Sequence, residues 1–188
     1  MAGTSIVTAS GPTVIVLASG RGERFAASGG QTHKLQSLLG GKTVLQRTLD
    51  AVADSGLDWH LVDQGYPGMG DSIAAGVRAT AQSSGWLILP ADLPLIQPDS
   101  LRAVAVALQT STVAIPTCKG EKGHPVGFGR VCYRRLASLS GPQGAAKIIQ
   151  QYQAAKVAVQ DIGILTDIDT VDDLRRAQVL RIMGLFGK

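Results

Sequence analysis

Aromatic residues make up only 4% of this 188-residue chain and charged residues only 17%. With so few rings, a core has to be built from Val, Leu, Ile and Ala, which suits buried parallel strands flanked by helices. Cysteine is just as scarce. Cys118 and Cys132 are the only two, and their spacing matches neither a CxxC motif nor a zinc site. A disulfide framework is thereby excluded, and a reduced, cytoplasmic protein is the simplest reading. No apolar run approaches the roughly 20 residues of a membrane helix. The first twelve residues lack the cationic start and long apolar stretch of a secretory signal. They read as a loose tail before a single domain over residues 13–188, a length that buries a core without staples. Lys and Arg outnumber Asp and Glu by 18 to 14, yet no basic run exceeds a pair (Arg134-Arg135, Arg175-Arg176). That argues against nucleic acid, which needs a basic stripe, and suits a small anionic substrate.

What the chain does have is glycine, 23 residues of it, and 45% hydrophobic residues in short alternating runs. Thr13–Leu17 is a β-branched strand that stops at Ala18-Ser19-Gly20. Helical spacing follows from Thr43 to about Ala53. Trp59–Val62 is a second strand, and Asp71 is placed to cap a helix over 72–82. Trp86–Leu89 is a third strand, closed by Pro90-Ala91-Asp92-Leu93-Pro94. Pro98-Asp99 opens a helix to about Leu108, and Val113–Ile115 is a fourth strand. Lys119–Gly123 reads as a hairpin turn with Val126–Phe128 returning. Helices are expected near 131–139 and 143–154, a late strand at Val157–Val159, and a last helix from about Val171 to Met183. Alternating strands and helices imply βαβ crossovers and a mostly parallel sheet. In such sheets ligands sit beyond the carboxyl ends of the strands.

The loop after the first strand carries the strongest chemical signal. In Leu17-Ala18-Ser19-Gly20-Arg21-Gly22-Glu23-Arg24-Phe25, small residues let the backbone approach a ligand closely, and successive amides can cradle phosphate oxygens. Arg21, Arg24 and the later Lys34 add positive charge. No G-K-[ST] follows, and GxGxxG lacks its third glycine, so neither standard phosphate motif applies.

This segment resembles the L-A-A-G-x-x-x-R-[MF]-G loop and downstream Lys of the nucleotidyltransferases with a Rossmann-like fold. Four more segments agree with the molybdenum cofactor cytidylyltransferase branch of that family. Gly68-Met69-Gly70-Asp71-Ser72-Ile73 resembles its G-M-x-x-S-[LI], and Leu89–Leu95 its L-x-G-D-x-P-L. Gly123–Phe128 resembles its G-H-P-V-x-F, and Asp167-Ile168-Asp169-Thr170 with Asp172-Asp173-Leu174 its D-I-D-T-x-x-D-L. The ordered set spans residues 13–177. It implies an α/β fold with three αβα layers, a mostly parallel sheet and an antiparallel edge hairpin. One strand-helix unit of the family pattern is missing before Gly68. Ser19 stands for the usual Ala, Ala26 for the usual Gly, and the loop to Lys34 is long.

The activity implied is transfer of CMP from CTP to the terminal phosphate of molybdopterin, releasing pyrophosphate. Mg²⁺ would serve as cofactor, with Mn²⁺ as a substitute. The product would pass to a molybdenum hydroxylase. Arg24, Lys34 and Asp92 would be catalytic. Leu17, Ala18, Ser19, Gly20, Arg21 and Gly22 would hold the phosphates, and Gly68, Met69 and Ser72 the base and ribose. His124 would face the acceptor or the metal. Asp92 would bind the metal, with Asp169 or Asp167 as a second ligand, although Asp169-Thr170 also reads as a helix cap. Gly68–Asp71 likewise reads as a turn and cap. Lys119 and Lys122 read as solvated charges. Two alternatives stay open: the same chemistry on another phosphorylated acceptor, such as a sugar phosphate, and a non-catalytic module that binds nucleotide or cofactor for delivery.

Overall fold

In a computed structural model, which describes residues 11–20 and 22–184, strand β1 (Thr13–Leu17) alternates its faces as a pleated strand must. Val14 and Val16 enter one hydrophobic cluster and Ile15 the other. After β1 come α1 (Glu23–Ala27), a helical turn at Lys34–Gln36, and the small pair β2 (Leu38–Leu39) and β3 (Lys42–Thr43). Then follow α2 (Val44–Asp54), β4 (Trp59–Val62), α3 (Met69–Ala79), β5 (Gly85–Pro90) and α4 (Pro98–Ala107). The second half holds β6 (Val113–Cys118), β7 (Glu121–Lys122), β8 (Val126–Gly129), α5 (Tyr133–Ala137), α6 (Ala146–Ile149), β9 (Ala155–Ala158) and α7 (Val171–Ile182). Two helix starts carry capping boxes, Thr43 with Gln46 on α2 and Thr170 with Asp173 on α7. Each satisfies two amides that would otherwise lack partners.

The main sheet runs β4-β1-β5-β8-β6-β7, with β9 also paired to β6. β4, β1 and β5 are parallel neighbours, as are β6 and β9. One face buries Val14, Val16, Leu87 and Leu89 against α2, α4 and α7 through Val52, Leu101 and Ala177. The other buries Ile15, Trp86, Ile88 and Phe128 against α3, α5 and α6 through Val77, Leu136 and Ile148. This is the three-layer αβα arrangement that the sequence implies. Among the described residues the sheet carries β4 alone beyond β1, in keeping with the short span before Gly68. The first ten residues of the expected tail lie outside the described residues.

Three expectations are corrected in detail. The hairpin is present, turning through Lys119 (φ 51°) and Gly120 (φ 88°) from β6 into β7. Its returning strand β8, however, lies inside the sheet between β5 and β6, antiparallel to both. Val126, Gly127 and Phe128 are all buried, which an edge strand could not provide. Helix α3 starts at Met69 rather than Ser72. Asp71 sits in its first turn, and its carboxylate accepts from the Gly141 amide at 3.0 Å instead of capping. The helices near 131–139 and 143–154 shrink to α5 and α6, because Gly141 and Gly144 adopt positive φ between them and interrupt helical geometry.

Asp161 is the hinge pin between β9 and α4. It is 3% exposed, and its carboxylate accepts from the Gln97 amide (2.9 Å), the Ser100 hydroxyl (2.7 Å) and the Gly163 amide (2.8 Å). Asp161→Ala strands those donors in the interior. We expect it to cost about 2–4 kcal/mol in urea unfolding, whereas Asp99→Ala on the exposed surface should stay within about 0.5 kcal/mol of the parent.

Candidate active site

β1 and β5 are adjacent, parallel, and end at the same edge, with Leu17 opposite Pro90. The loops leaving that edge enclose a cleft of about 920 Å³. The phosphate-type loop forms one wall. The Ala18 amide continues the ladder by donating to the Val62 carbonyl at 2.8 Å, and Ala18 packs on the core while Leu17, Ser19, Gly20 and Gly22 line the opening. Gly22 has φ 66° at the start of α1, a conformation that a side chain at this position would strain. Phe25 is buried and anchors α1, so Arg24 beside it reaches the cleft. Arg21 lies outside the described residues.

Four charged groups from distant parts of the chain meet in this cleft. Lys34 Nζ donates to Asp92 Oδ2 at 2.5 Å and to Asp169 Oδ1 at 3.2 Å. Arg24 Nη1 reaches Asp169 Oδ2 at 2.6 Å. The Lys34 side chain is 12% exposed, against 78% for Arg24. Burial by itself would lower the Lys34 pKa. Asp92 first, then Asp169, outweigh it and raise the ammonium above its ordinary range. Asp92 follows β5, and its carbonyl accepts from the Ile168 amide at 2.9 Å, which brings the 167–169 strip alongside.

Asp92 Oδ1 is buried and has no hydrogen-bond partner. A buried, unpaired acceptor beside a second carboxylate suits a hard divalent cation. Among the described residues no three His, Cys, Asp or Glu side chains form a metal cage. Mg²⁺ does not need one, since it keeps waters and phosphate oxygens beside one or two carboxylates. Asp92 and Asp169 therefore fit such an ion bound together with a triphosphate. Asp167 also lines the cleft. Its pKa is raised by desolvation of the carboxyl and by the like charges of Asp169, Asp92 and Asp173, against an opposing bond from its own amide.

His124 lines the same cleft, and its Nδ1 is buried without a partner. Burial pushes its pKa down. Asp92, Asp167 and a hydrogen bond to the Ile88 backbone pull the other way without prevailing. A neutral ring with one idle acceptor results.

Gly68, Met69 and Ser72 also line the cleft, beside the loop. Gly68 is needed for close approach, because a Cβ there would lie 2.4 Å from the Gly141 backbone. The Ser72 hydroxyl is 2.7 Å from that of Ser19 and 3.2 Å from the Gly68 carbonyl. At 1% exposure it ties α3 to the loop rather than standing free. Three groups escape a reading by motif. His33 Nε2 lies 2.9 Å from the Gly20 carbonyl, and nothing in the sequence marks it. Glu121 and Lys122 are exposed but line the cleft; their place in a hairpin at the ligand edge was the available signal.

Residues 51–157, more than half of the chain, match the MobA-like NTP transferase domain. The purine catabolism protein PucB of Bacillus subtilis is 32% identical over 126 residues, 63% of this chain. The chain spans only 61% of that relative's length. Among solved structures, Rv0371c of Mycobacterium tuberculosis superposes with a TM-score of 0.76 at 24% identity, over 92% of this chain and 100% of the other. Its manganese complex gives 0.71 at 24% identity, over the same shares. The molybdopterin-guanine dinucleotide biosynthesis protein A of Archaeoglobus fulgidus gives 0.65 at 16% identity, over 91% of this chain and 99% of the other. At such identities these structures establish the fold. The matched stretch includes Asp92 and His124 but not the loop at 17–25, Lys34 or Asp169.

Asp167 offers a test of the cleft's electrostatics. A raised carboxyl pKa means the folded state binds its proton more tightly than the unfolded chain does. The folded state therefore loses stability as pH rises from the ordinary value of 3.8 through the raised one, and that loss persists at neutral pH. Asp167→Asn removes it. In metal-free buffer the variant should melt about 1–3 °C above the parent at pH 7, with the gain shrinking toward pH 3. An equal or lower melting temperature at pH 7 would refute the account of a carboxyl raised by burial and like charge.

Proposed function

The chain belongs to the MobA-like NTP transferase family, and from that premise we propose that it transfers CMP from CTP to the terminal phosphate of molybdopterin, with release of pyrophosphate. The observation that carries the reading is the convergence of Lys34, Arg24, Asp92 and Asp169 beside the Ser19–Gly22 loop. Two cations and two carboxylates at the mouth of a backbone cradle are what a metal-bound triphosphate requires. A module that only stores nucleotide has little use for a carboxylate aimed at the phosphates.

In the reaction, an oxygen of the acceptor phosphate attacks the α-phosphorus of CTP. A new P–O bond forms, the bond from the α-phosphorus to the bridging oxygen breaks, and pyrophosphate leaves with the electron pair. Such transfers depend on positioning and charge neutralisation rather than covalent help. The loop amides hold the β- and γ-phosphates. Arg24 offers two parallel donors to the triphosphate. Lys34 stabilises the charge that grows on the α-phosphate and leaving group. Asp92 and Asp169 would hold a divalent cation, whose contribution is to neutralise the phosphates as that charge develops; Rv0371c crystallised with manganese supports such a ion in this fold.

Two features support molybdopterin and cytidine. The chain belongs to a family of MobA-like NTP transferases, and a molybdopterin-guanine dinucleotide biosynthesis protein shares its fold. The Gly68–Ile73 element, which resembles that of the cytidylyl branch, forms the cleft wall where a base would rest. His124, with its idle Nδ1 on the cleft, would meet the acceptor. A molybdenum hydroxylase would receive the product.

Pyrophosphate release with Mg²⁺ and each of CTP, GTP, ATP and UTP, with and without molybdopterin, tests the reading. We expect release only with CTP plus molybdopterin. Lys34→Ala and Asp92→Asn should each lower kcat by about a hundredfold or more. Release with GTP would reassign the base. Release with a sugar phosphate in place of molybdopterin would reassign the acceptor. Full turnover by Asp92→Asn would overturn the metal assignment.

A further inference from the structure

We propose that His33 is a positioning residue that clasps the phosphate loop to the turn bearing Lys34, an assignment that rests on the nucleotidyltransferase reading of this site. The imidazole spans two segments. Nε2 lies 2.9 Å from the Gly20 carbonyl, and Nδ1 accepts from the Leu35 amide at 3.3 Å. A carbonyl only accepts and an amide N–H only donates. Both bonds therefore form together in one state of the ring, neutral with its proton on Nε2.

The site gives this clasp a purpose. Ten positions separate Arg24 from Lys34 in the sequence, and the span between them contains Gly29 and Gly30. Lys34's head is held by Asp92 and Asp169. When those carboxylates take a cation and the ammonium turns to phosphate, these contacts no longer fix the turn. The His33 contacts act one residue away, at the backbone. They hold the start of the Lys34–Gln36 turn, where His33 is the capping residue, against the loop that receives the phosphates. The ring packs over Gly22, where a Cβ would lie 3.5 Å from Nε2, at ordinary van der Waals contact. His33 is exposed, and its two hydrogen bonds join the Gly20 and Leu35 backbones rather than the core.

The two ring nitrogens can be tested separately. Asn at position 33 keeps the short-range acceptor for the Leu35 amide, as a good capping residue does, but cannot reach Gly20. Gln extends a donor toward Gly20. With CTP and molybdopterin, His33→Ala and His33→Asn should both lower kcat by about tenfold to a hundredfold, as a misplaced reacting group does. The KM for molybdopterin should change little, and the melting temperature should stay within about 2 °C. His33→Gln should recover most of the loss. Wild-type kcat in His33→Asn would mean that only the cap matters and would overturn the clasp. So would a His33→Gln as slow as His33→Ala.

Binding of inorganic tripolyphosphate with Mg²⁺, followed by calorimetry, separates the two proposals. If the wild type binds it but turns over no nucleotide, the nucleotidyltransferase reading fails. The clasp then stands if His33→Ala and His33→Asn bind more weakly by about tenfold and His33→Gln does not. It falls if all four bind alike or if none binds.

Discussion

The fold converges on the contact between Lys34 and its two carboxylates. An ammonium that is 12% exposed is costly to hold without a partner, and so are the carboxylates around it. Lys34, Asp92, Asp169 and Arg24 come from a turn, a strand end, the approach to the last helix and a short first helix. Each therefore depends on the others' elements being in place. The exchange is also reversible in a useful sense. Under the proposed function, a triphosphate with its metal would bring the same charges in mirrored form, anions for the two cations and a cation for the two carboxylates. In the free protein the two cations and two carboxylates neutralise one another.

The sheet order explains why this set forms at that edge. β1 and β5 run side by side in one direction, so their loops face each other across the cleft. β8 runs the other way between β5 and β6, with Val126 opposite Ile88. His124, two residues before Val126, thereby falls beside the exit of β5, where Asp92 stands. An antiparallel strand at the sheet's edge would have left that histidine far from the carboxylate. The central place of β8 is thus a functional matter, and the buried Gly127 and Phe128 allow it.

Much of this was legible from residue order. Short continuous aliphatic runs with glycine or proline stops located the parallel strands, and five spaced motifs supplied residues that line the cleft. What escaped the sequence was set by contacts between segments far apart in the chain. Nothing local says that Gly68 abuts Gly141, so the start of α3 and the real partner of Asp71 could not be read. The Ser72 hydroxyl, expected at the base and ribose, instead lies 2.7 Å from that of Ser19, a contact between distant segments. The central position of β8 depends on which strands flank it, and local alternation is blind to that. His33 belongs to no motif, and its meaning comes from a carbonyl thirteen residues earlier.

The unsatisfied atoms point the same way as the charges. Buried polar side-chain atoms in folded proteins nearly always find partners. Among the described residues two do not, Asp92 Oδ1 and His124 Nδ1, and both residues line the one cleft. Each idle atom costs the free protein stability. Asp161 shows that this chain can satisfy a buried carboxylate fully, with three donors, when the role is structural. The contrast assigns the two idle acceptors to something that arrives. A carboxylate oxygen and a neutral imidazole nitrogen, both lone-pair donors, call for groups that accept electron density. A metal ion suits the first and an N–H or O–H of the acceptor suits the second. Triphosphate alone, rich in oxygen acceptors, would satisfy neither, which is why the proposed reaction would pair the nucleotide with a metal and a second substrate.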